Sequence, residues 1–246
     1  MTTILKLGGS VITEKDQPET VDEENLARTA AAIGEYVAEG GEIVVVHGGG
    51  SFGHHHAAEH GVSRADGSHD GAGLLAIHRA MGRLTDAVLD ALAEEGVDPL
   101  PVRPLSAGFR AGDGTVTLAE GSVRTMLSEG FVPVLNGDVI AHAGRGGTII
   151  SGDTIVVSLA ESLAADRVGL CSTVPGVLDD DGDVIDEIES FEAVASVLGA
   201  SESTDVTGGM AAKVQRLLEL DTPASIFDPD ALAAFLETGR AGTVVR

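Results

Sequence analysis

Short apolar runs alternate along this chain with longer stretches in which apolar residues recur every three or four positions, and glycines crowd many of the junctions. That alternation predicts an α/β protein. A run too apolar to face water on either side reads as a buried parallel strand, and an apolar stripe of period 3.6 reads as a helix laid over it. Thr3–Leu7 is the first such strand and delivers the chain into Gly8-Gly9-Ser10. Asp22–Glu39 has helical period, with Leu26, Ala30, Ile33 and Val37 on one stripe and Asp22 as its N-cap. Ile43–Val46 is apolar throughout, as a central parallel strand must be, and runs into His47-Gly48-Gly49-Gly50. A long helix is expected over Gly71–Glu95. Its stripe of Leu74, Ile77, Met81, Leu84, Val88 and Leu92 is what any packed amphipathic helix shows, and reads as core.

The alternation continues through the second half. Strands are expected at Leu100–Arg103, Thr115–Leu118, Val132–Asn136, Val139–His142 and Thr148–Ile150, with hairpins around Gly112-Asp113-Gly114 and Gly144–Gly147. A helix starts near Asp153, a strand covers Arg167–Leu170, and Asp179–Asp183 is an acidic turn between hairpin strands. Asp205–Leu220 enters a helix at Met210; Ala224–Phe227, Pro229–Glu237 and Gly242–Val245 read as strand, helix and strand. With no Pro/Ser-rich linker and no internal repeat, residues 1–246 read as a single domain.

Charge changes the picture next. The sequence carries 39 Asp and Glu against 15 Lys and Arg, a formal charge of −24, yet 43% of it is hydrophobic. This is a folded protein with an acidic skin. Self-repulsion on that scale is screened once the Debye length falls to roughly 3 Å near 1 M salt, so the composition reads as adaptation to a salty cytoplasm. Nucleic acid and anionic membranes are excluded as partners. The single cysteine, Cys171, closes an apolar run and reads as a buried structural thiol in a reducing compartment. No apolar stretch is long enough for a membrane span and no signal peptide is recognised, so a soluble, cytoplasmic protein is expected.

Three lysines, Lys6, Lys15 and Lys213, remain on this lysine-poor chain, and all lie in or beside glycine-rich segments. Lysine binds phosphate as a point charge, and glycine lets backbone N–H groups crowd an anion at a helix N-terminus. The clusters Gly8-Gly9-Ser10, Gly48-Gly49-Gly50 and Gly208-Gly209 each sit between an expected strand and helix, and together with the lysines they point to phosphate chemistry. Neither a G-x-x-x-x-G-K-[ST] loop nor a G-x-G-x-x-G fingerprint occurs. The run His54-His55-His56 is followed by His60. The His56/His60 spacing of i, i+4 would suit a metal, but no Cys or H-E-x-x-H context supports one, and His55, His56 and His60 read as surface histidines.

The segments LKLGGSVIT, VVHGGGSFGH, LNGDV followed by IISGD, and DVTGGM-x-x-K, in that order, resemble the amino-acid kinase superfamily across nearly the whole chain. His54, ending HGGGSFGH, resembles the mark of its isopentenyl phosphate kinase branch. The resemblance implies a three-layer αβα sandwich around a mostly parallel sheet, with an acceptor lobe over about 1–165 and a nucleotide lobe over about 166–246. It implies transfer of the γ-phosphoryl of ATP, with Mg2+, to a phosphomonoester, and a homodimer. Lys6 would touch the transferring phosphates beside the N–H groups of Gly8, Gly9 and Ser10, and Lys15 would stabilise transition-state charge. Gly49, Gly53, His54 and Gly152 would hold the acceptor. Gly50, Asp153, Thr173, Gly209 and Lys213 would serve the nucleotide, Asp153 by orienting lysines or magnesium, with Asp138 a weaker candidate for that task. Ser172-Thr173-Val174-Pro175-Gly176-Val177 lacks the acidic residues common in this superfamily segment, which leaves nucleotide preference open. Alternatives left open are a UMP or fosfomycin kinase of the same superfamily, and a nucleotide-binding regulator without turnover.

Overall fold

The computed structural model describes residues 1–200 and 209–246. In chain order its strands are β1 (Thr2–Leu7), β2 (Glu42–His47), β3 (Pro99–Val102), β4 (Gly108–Arg110), β5 (Val116–Leu118), β6 (Val132–Asn136), β7 (Asp138–His142), β8 (Gly146–Ile150), β9 (Arg167–Cys171), β10 (Glu187–Ile188), β11 (Ala224–Phe227) and β12 (Thr243–Val245). The helices are α1 (Gly9–Ile12), α2 (Glu23–Ala38), α3 (Gly50–Glu59), α4 (Gly71–Glu94), α5 (Pro104–Ala107), α6 (Glu120–Ser128), α7 (Gly152–Leu163), α8 (Ala195–Ala200), α9 (Gly209–Leu217) and α10 (Leu232–Thr238). Eight strands form one sheet in the order β10-β12-β11-β9-β1-β2-β6-β3, parallel except where β11 meets β12. The second sheet, β5-β4-β7-β8, carries both expected hairpins, β4–β5 and β7–β8.

Alternation along the central strands builds two cores. Ile4, Val44 and Val46 join one, with Ile155, Val156 and Leu159 of α7 and Val214 and Leu217 of α9. Leu5, Leu7, Ile43 and Val45 join the other, under α2, α4 and α10. The sheet is therefore sandwiched between two helical layers, the three-layer architecture that the resemblance implied. Because Lys6 lies two residues beyond Ile4, the strand period of two turns its side chain toward the α7 layer.

Asp22 caps α2 as expected, accepting from the Asn25 backbone N–H at 3.0 Å. β4, α6 and β10 do not stand out in the sequence. The α6 helix buries only Val123, so its apolar stripe is too thin to register, and β4 and β10 are three and two residues long. The acidic turn at Asp179–Asp183 is closed by a bridge between Leu178 and Val184, with Asp179 Oδ1 accepting from the N–H groups of Asp181 and Asp183. Residues 201–208, which include Asp205 and Gly208 of the DVTGGM motif, lie outside the described residues.

Candidate functional site

The parallel strands β9, β1, β2 and β6 end on one edge, and each C-terminal turn is tied to its neighbour. Gly8 N donates to Cys171 O at 2.8 Å, Gly48 N to Leu7 O at 2.9 Å, and Gly137 N to His47 O at 2.9 Å. Ligands of open parallel sheets bind outside the carboxyl ends of the strands, where the strand order changes direction. Here β1 lies between β2 and β9, placing the first two glycine clusters at that position.

Those clusters meet backbone to backbone. A Cβ on Gly9 would lie 2.6 Å from Gly50 Cα, and one on Gly48 would lie 2.5 Å from Gly9 N. Gly50 adopts φ +46°, open to glycine at no steric cost, and a Cβ there would lie 2.7 Å from Gly9 O and collide with the Thr13 hydroxyl. Thr13 clasps the two turns together: its hydroxyl donates to Gly9 O at 2.8 Å and accepts from Ser51 N at 3.1 Å. At the N-terminal end of α3 the Ser51 N–H is thus spent on Thr13 and that of Phe52 on Gly49 O, so an anion drawn to this helix end would be met by the N–H groups of Gly49 and Gly50.

His47 fixes the seam from below. It is fully buried, with Nδ1 3.0 Å from Gly48 O and Nε2 3.0 Å from the Thr85 hydroxyl of α4. A carbonyl only accepts, so Nδ1 carries the proton, and the Thr85 hydroxyl, also 2.9 Å from Met81 O, has one proton to share between that carbonyl and Nε2. Burial pushes the imidazole down to about 4, against the pull of the Gly48 carbonyl and with a further push from Arg103.

Beside the seam, Lys6 Nζ sits 2.5 Å from Asp153 Oδ1, both side chains nearly enclosed at 12% and 14% exposure. Gly152 makes the approach possible, since a Cβ there would lie 3.2 Å from Lys6 Cε. Asp153 stands in the first turn of α7, N-capped by Ser151, whose hydroxyl accepts from Thr154 N. Burial works to raise the Asp153 carboxyl, but the charges of Lys6 and Lys213, the Lys6 hydrogen bond and the Arg64 charge together hold it below the usual carboxylate range. Lys6, Lys213 and Asp153 are therefore one electrostatic unit.

The remaining sequence candidates divide. Lys15 is exposed on the 14–20 loop, whose ends are pinned by the Thr13–Val21 bridge and by Glu14 N donating to Thr20 O. His54 is exposed on the first turns of α3, and Thr173 is exposed after β9. Gly49 and Gly53 have a packing reason of their own: a Cβ would lie 3.4 Å and 3.0 Å from the Met81 sulfur, so they let α3 press on α4. Gly209 and Lys213 lie on α9, and Ser10 in α1. Asp138 turns elsewhere, 2.7 Å from His78 Nδ1, and this hydrogen bond raises the His78 pKa despite burial. Cys171 is buried and its thiol is pushed up to about 12 by burial and the Asp228 charge, the inert structural thiol that was expected. His55 is exposed as expected, whereas His56 and His60 are half-buried.

Sequence reasoning missed Thr13, Arg64 and the role of His47. The signal for His47 was available, a histidine closing an otherwise apolar strand; Thr13 and Arg64 act through contacts that no local pattern announces. Among the described residues, no helix is long and apolar enough to cross a membrane.

Comparison with known proteins agrees with this fold. The model of the amino acid kinase family matches residues 1–221. Isopentenyl phosphate kinase from Haloferax volcanii is 65% identical over 243 residues, covering 99% of this chain and 98% of the relative. Isopentenyl phosphate kinase from Methanothermobacter thermautotrophicus is 38% identical, covering 88% and 86%. Among solved structures, an isopentenyl phosphate kinase superposes with a TM-score of 0.83 at 29% identity, covering 99% of this chain and 98% of that one.

Proposed function

This chain belongs to the amino acid kinase family, and within that family we infer that it is an ATP-dependent kinase of isopentenyl phosphate, producing isopentenyl diphosphate. The observation that carries the reading is the seam of Gly9 against Gly50 with the Lys6–Asp153 pair beside it. A phosphomonoester has a second pKa near 6, so close to pH 7 its oxygen is already a nucleophile and needs no general base. That oxygen forms the new bond to the γ-phosphorus as the bond to the β–γ bridging oxygen breaks, and ADP leaves. Bringing two polyanions into line is the difficulty, so catalysis rests on positioning and on neutralising charge.

In this reading Lys6 bridges the transferring phosphates while Asp153 fixes its ammonium. Gly9, Ser10 and Gly50 offer backbone N–H groups to the nucleotide, whereas the Gly8 N–H expected to join them is spent on Cys171 O and shapes the turn instead; Lys213 and Gly209 approach the phosphates from α9. Gly49, Gly53, Gly152 and His54 line the acceptor side, and Lys15 meets charge that develops in the transition state. Thr173 offers a hydroxyl to the nucleotide. The residues fit Mg2+ as an ion held chiefly by phosphate oxygens and water, with Asp153 the carboxylate among the lysines. When bound, Mg2+ neutralises charge on the β- and γ-phosphates. The acidic surface, a salty cytoplasm, a homodimer, and a division into acceptor (1–165) and nucleotide (166–246) lobes complete the proposal.

Coupled ATP turnover in roughly 2–3 M KCl, a salt level that screens such a surface, tests it with isopentenyl phosphate, dimethylallyl phosphate, UMP, fosfomycin and acetylglutamate as acceptors. Selective turnover of isopentenyl phosphate is expected. Preference for UMP or fosfomycin would keep the seam and reassign the acceptor pocket.

A further inference from the structure

The C-terminal end of α3 carries a cluster that phosphoryl transfer does not use. His56, Glu59 and His60 stand at i, i+3 and i+4, a spacing that projects three side chains from one face. One ligand atom from each, a ring nitrogen of either histidine and a carboxylate oxygen, lies within 4.8 Å of the other two. Ligands around a tetrahedral zinc ion at ~2.0–2.2 Å stand roughly 3.5 Å apart, so small side-chain adjustments would close the set.

A second observation concerns His56 alone. Its Nε2 lies 2.6 Å from Glu19 Oε1, and a carboxylate oxygen accepts, so Nε2 carries the proton. Nδ1 is buried and has no hydrogen-bond partner, and in the neutral imidazole it carries a lone pair. What it faces is Glu59 Oε2 at 3.5 Å, a second lone-pair carrier. With the imidazole neutral, two acceptors face one another, an arrangement that a cation between them satisfies. A carboxylate that receives the far N–H of a ligating histidine is the usual outer support of a metal site. Glu19 is itself held firmly: Arg83 Nε donates to its Oε2 at 2.9 Å, and its backbone takes φ +51°, unusual for a residue other than glycine. His60 is packed against the start of α4, where a Cβ on Gly73 would lie 2.9 Å from its ring.

We propose that His56 Nδ1, Glu59 and His60 bind a divalent transition-metal ion of the zinc class, with water completing its coordination. Two imidazoles and one carboxylate favour such an ion over Mg2+, which prefers oxygen ligands. Through Glu19 the bound ion is linked to the 14–20 loop that carries Lys15, so it braces that loop against α3.

Co2+ serves as the spectroscopic probe, added without nucleotide to chelator-treated protein in high salt. Wild type is expected to develop the visible absorption of low-coordinate cobalt, abolished by one equivalent of Zn2+. His56→Ala and His60→Ala should weaken Co2+ affinity at least 100-fold, and Glu19→Gln by about 10–100-fold, as an outer-support loss does. Circular dichroism checks that each variant folds, and Glu59→Gln supplies an independent ligand deletion should a histidine variant fail. Wild-type affinity equal to that of His56→Ala and Glu59→Gln would overturn the proposal, as would a band that survives both. Absence of any cobalt band would overturn it too and leave a proton between His56 and Glu59.

Discussion

The two halves of this site are built of different material. Along the seam, the backbones of Gly9, Gly48 and Gly50 touch, Thr13 clasps them, and His47 supports them from a fully buried position. Around the rim, Lys15, His54 and Thr173 are exposed side chains at the ends of loops and on a helix turn. The seam belongs to the fold, and its geometry stands before any ligand arrives. Exposed side chains at the rim keep rotamer freedom that packed ones have already lost. Function and stability should therefore be inseparable in the seam and separable at the rim.

The strongest way to break that contrast is Gly9→Ala. The added Cβ meets backbone rather than the end of a flexible side chain, so the expected cost is about 3 kcal/mol or more, with activity lost alongside. Chemical denaturation reads it; an unchanged midpoint would mean that the two turns part readily. Next comes Lys6→Met, which should lower kcat by roughly 10²–10³ if, as proposed above, its charge is aimed at the transferring group. It also leaves the Asp153 carboxylate buried without its ammonium, so adding Asp153→Asn should recover stability and not turnover.

The pH dependence of stability gives a third test. His47 stays neutral when folded, whereas an unfolded histidine takes a proton near pH 6.5. Its folded pKa of about 4 lies below that, so stability should fall as pH drops through 6.5 and level off near 4, by about 3 kcal/mol in all. His47→Gln should lose this slope even if it is less stable at pH 7. Asp153 acts in a separate window: its lowered pKa gives stability that is complete above about pH 4 and disappears as pH falls through the folded value. The smallest stability effects belong to the rim. His54→Ala and Lys15→Ala should each cut kcat about 10–100-fold while stability stays within ~0.5 kcal/mol of wild type. For Lys15 the loss should fall on kcat more than on KM. A large loss of stability in either variant would merge rim with seam.

How far the sequence reveals this contrast depends on how local each cause is. Val132–Asn136 is legible to the residue, and Asp22 is legible as a cap, since both follow from their immediate neighbours. The first two glycine clusters are legible as turns between strand and helix, and their phosphate role belongs to the proposal. That Gly9 abuts Gly50 is not legible, nor that Thr13 clasps them, because these are contacts across some forty residues of chain. His56 shows the same limit from the other side. In sequence it is one of a run of histidines, and only the approach of Glu19 from a separate loop assigns its proton and isolates its second nitrogen.

The Thr13 clasp also constrains how the protein breathes. One hydroxyl holds a carbonyl of the first turn and an N–H of the second, while Gly48 N is bonded back to β1, so the two turns form a single floor. A cleft with an undivided floor cannot open like a book along its base. Passage of substrate and product falls to its walls: the pinned 14–20 loop on one side and the α9 segment on the other. Any widening at this edge of the sheet is left to the sides, over a base that one hydroxyl ties together.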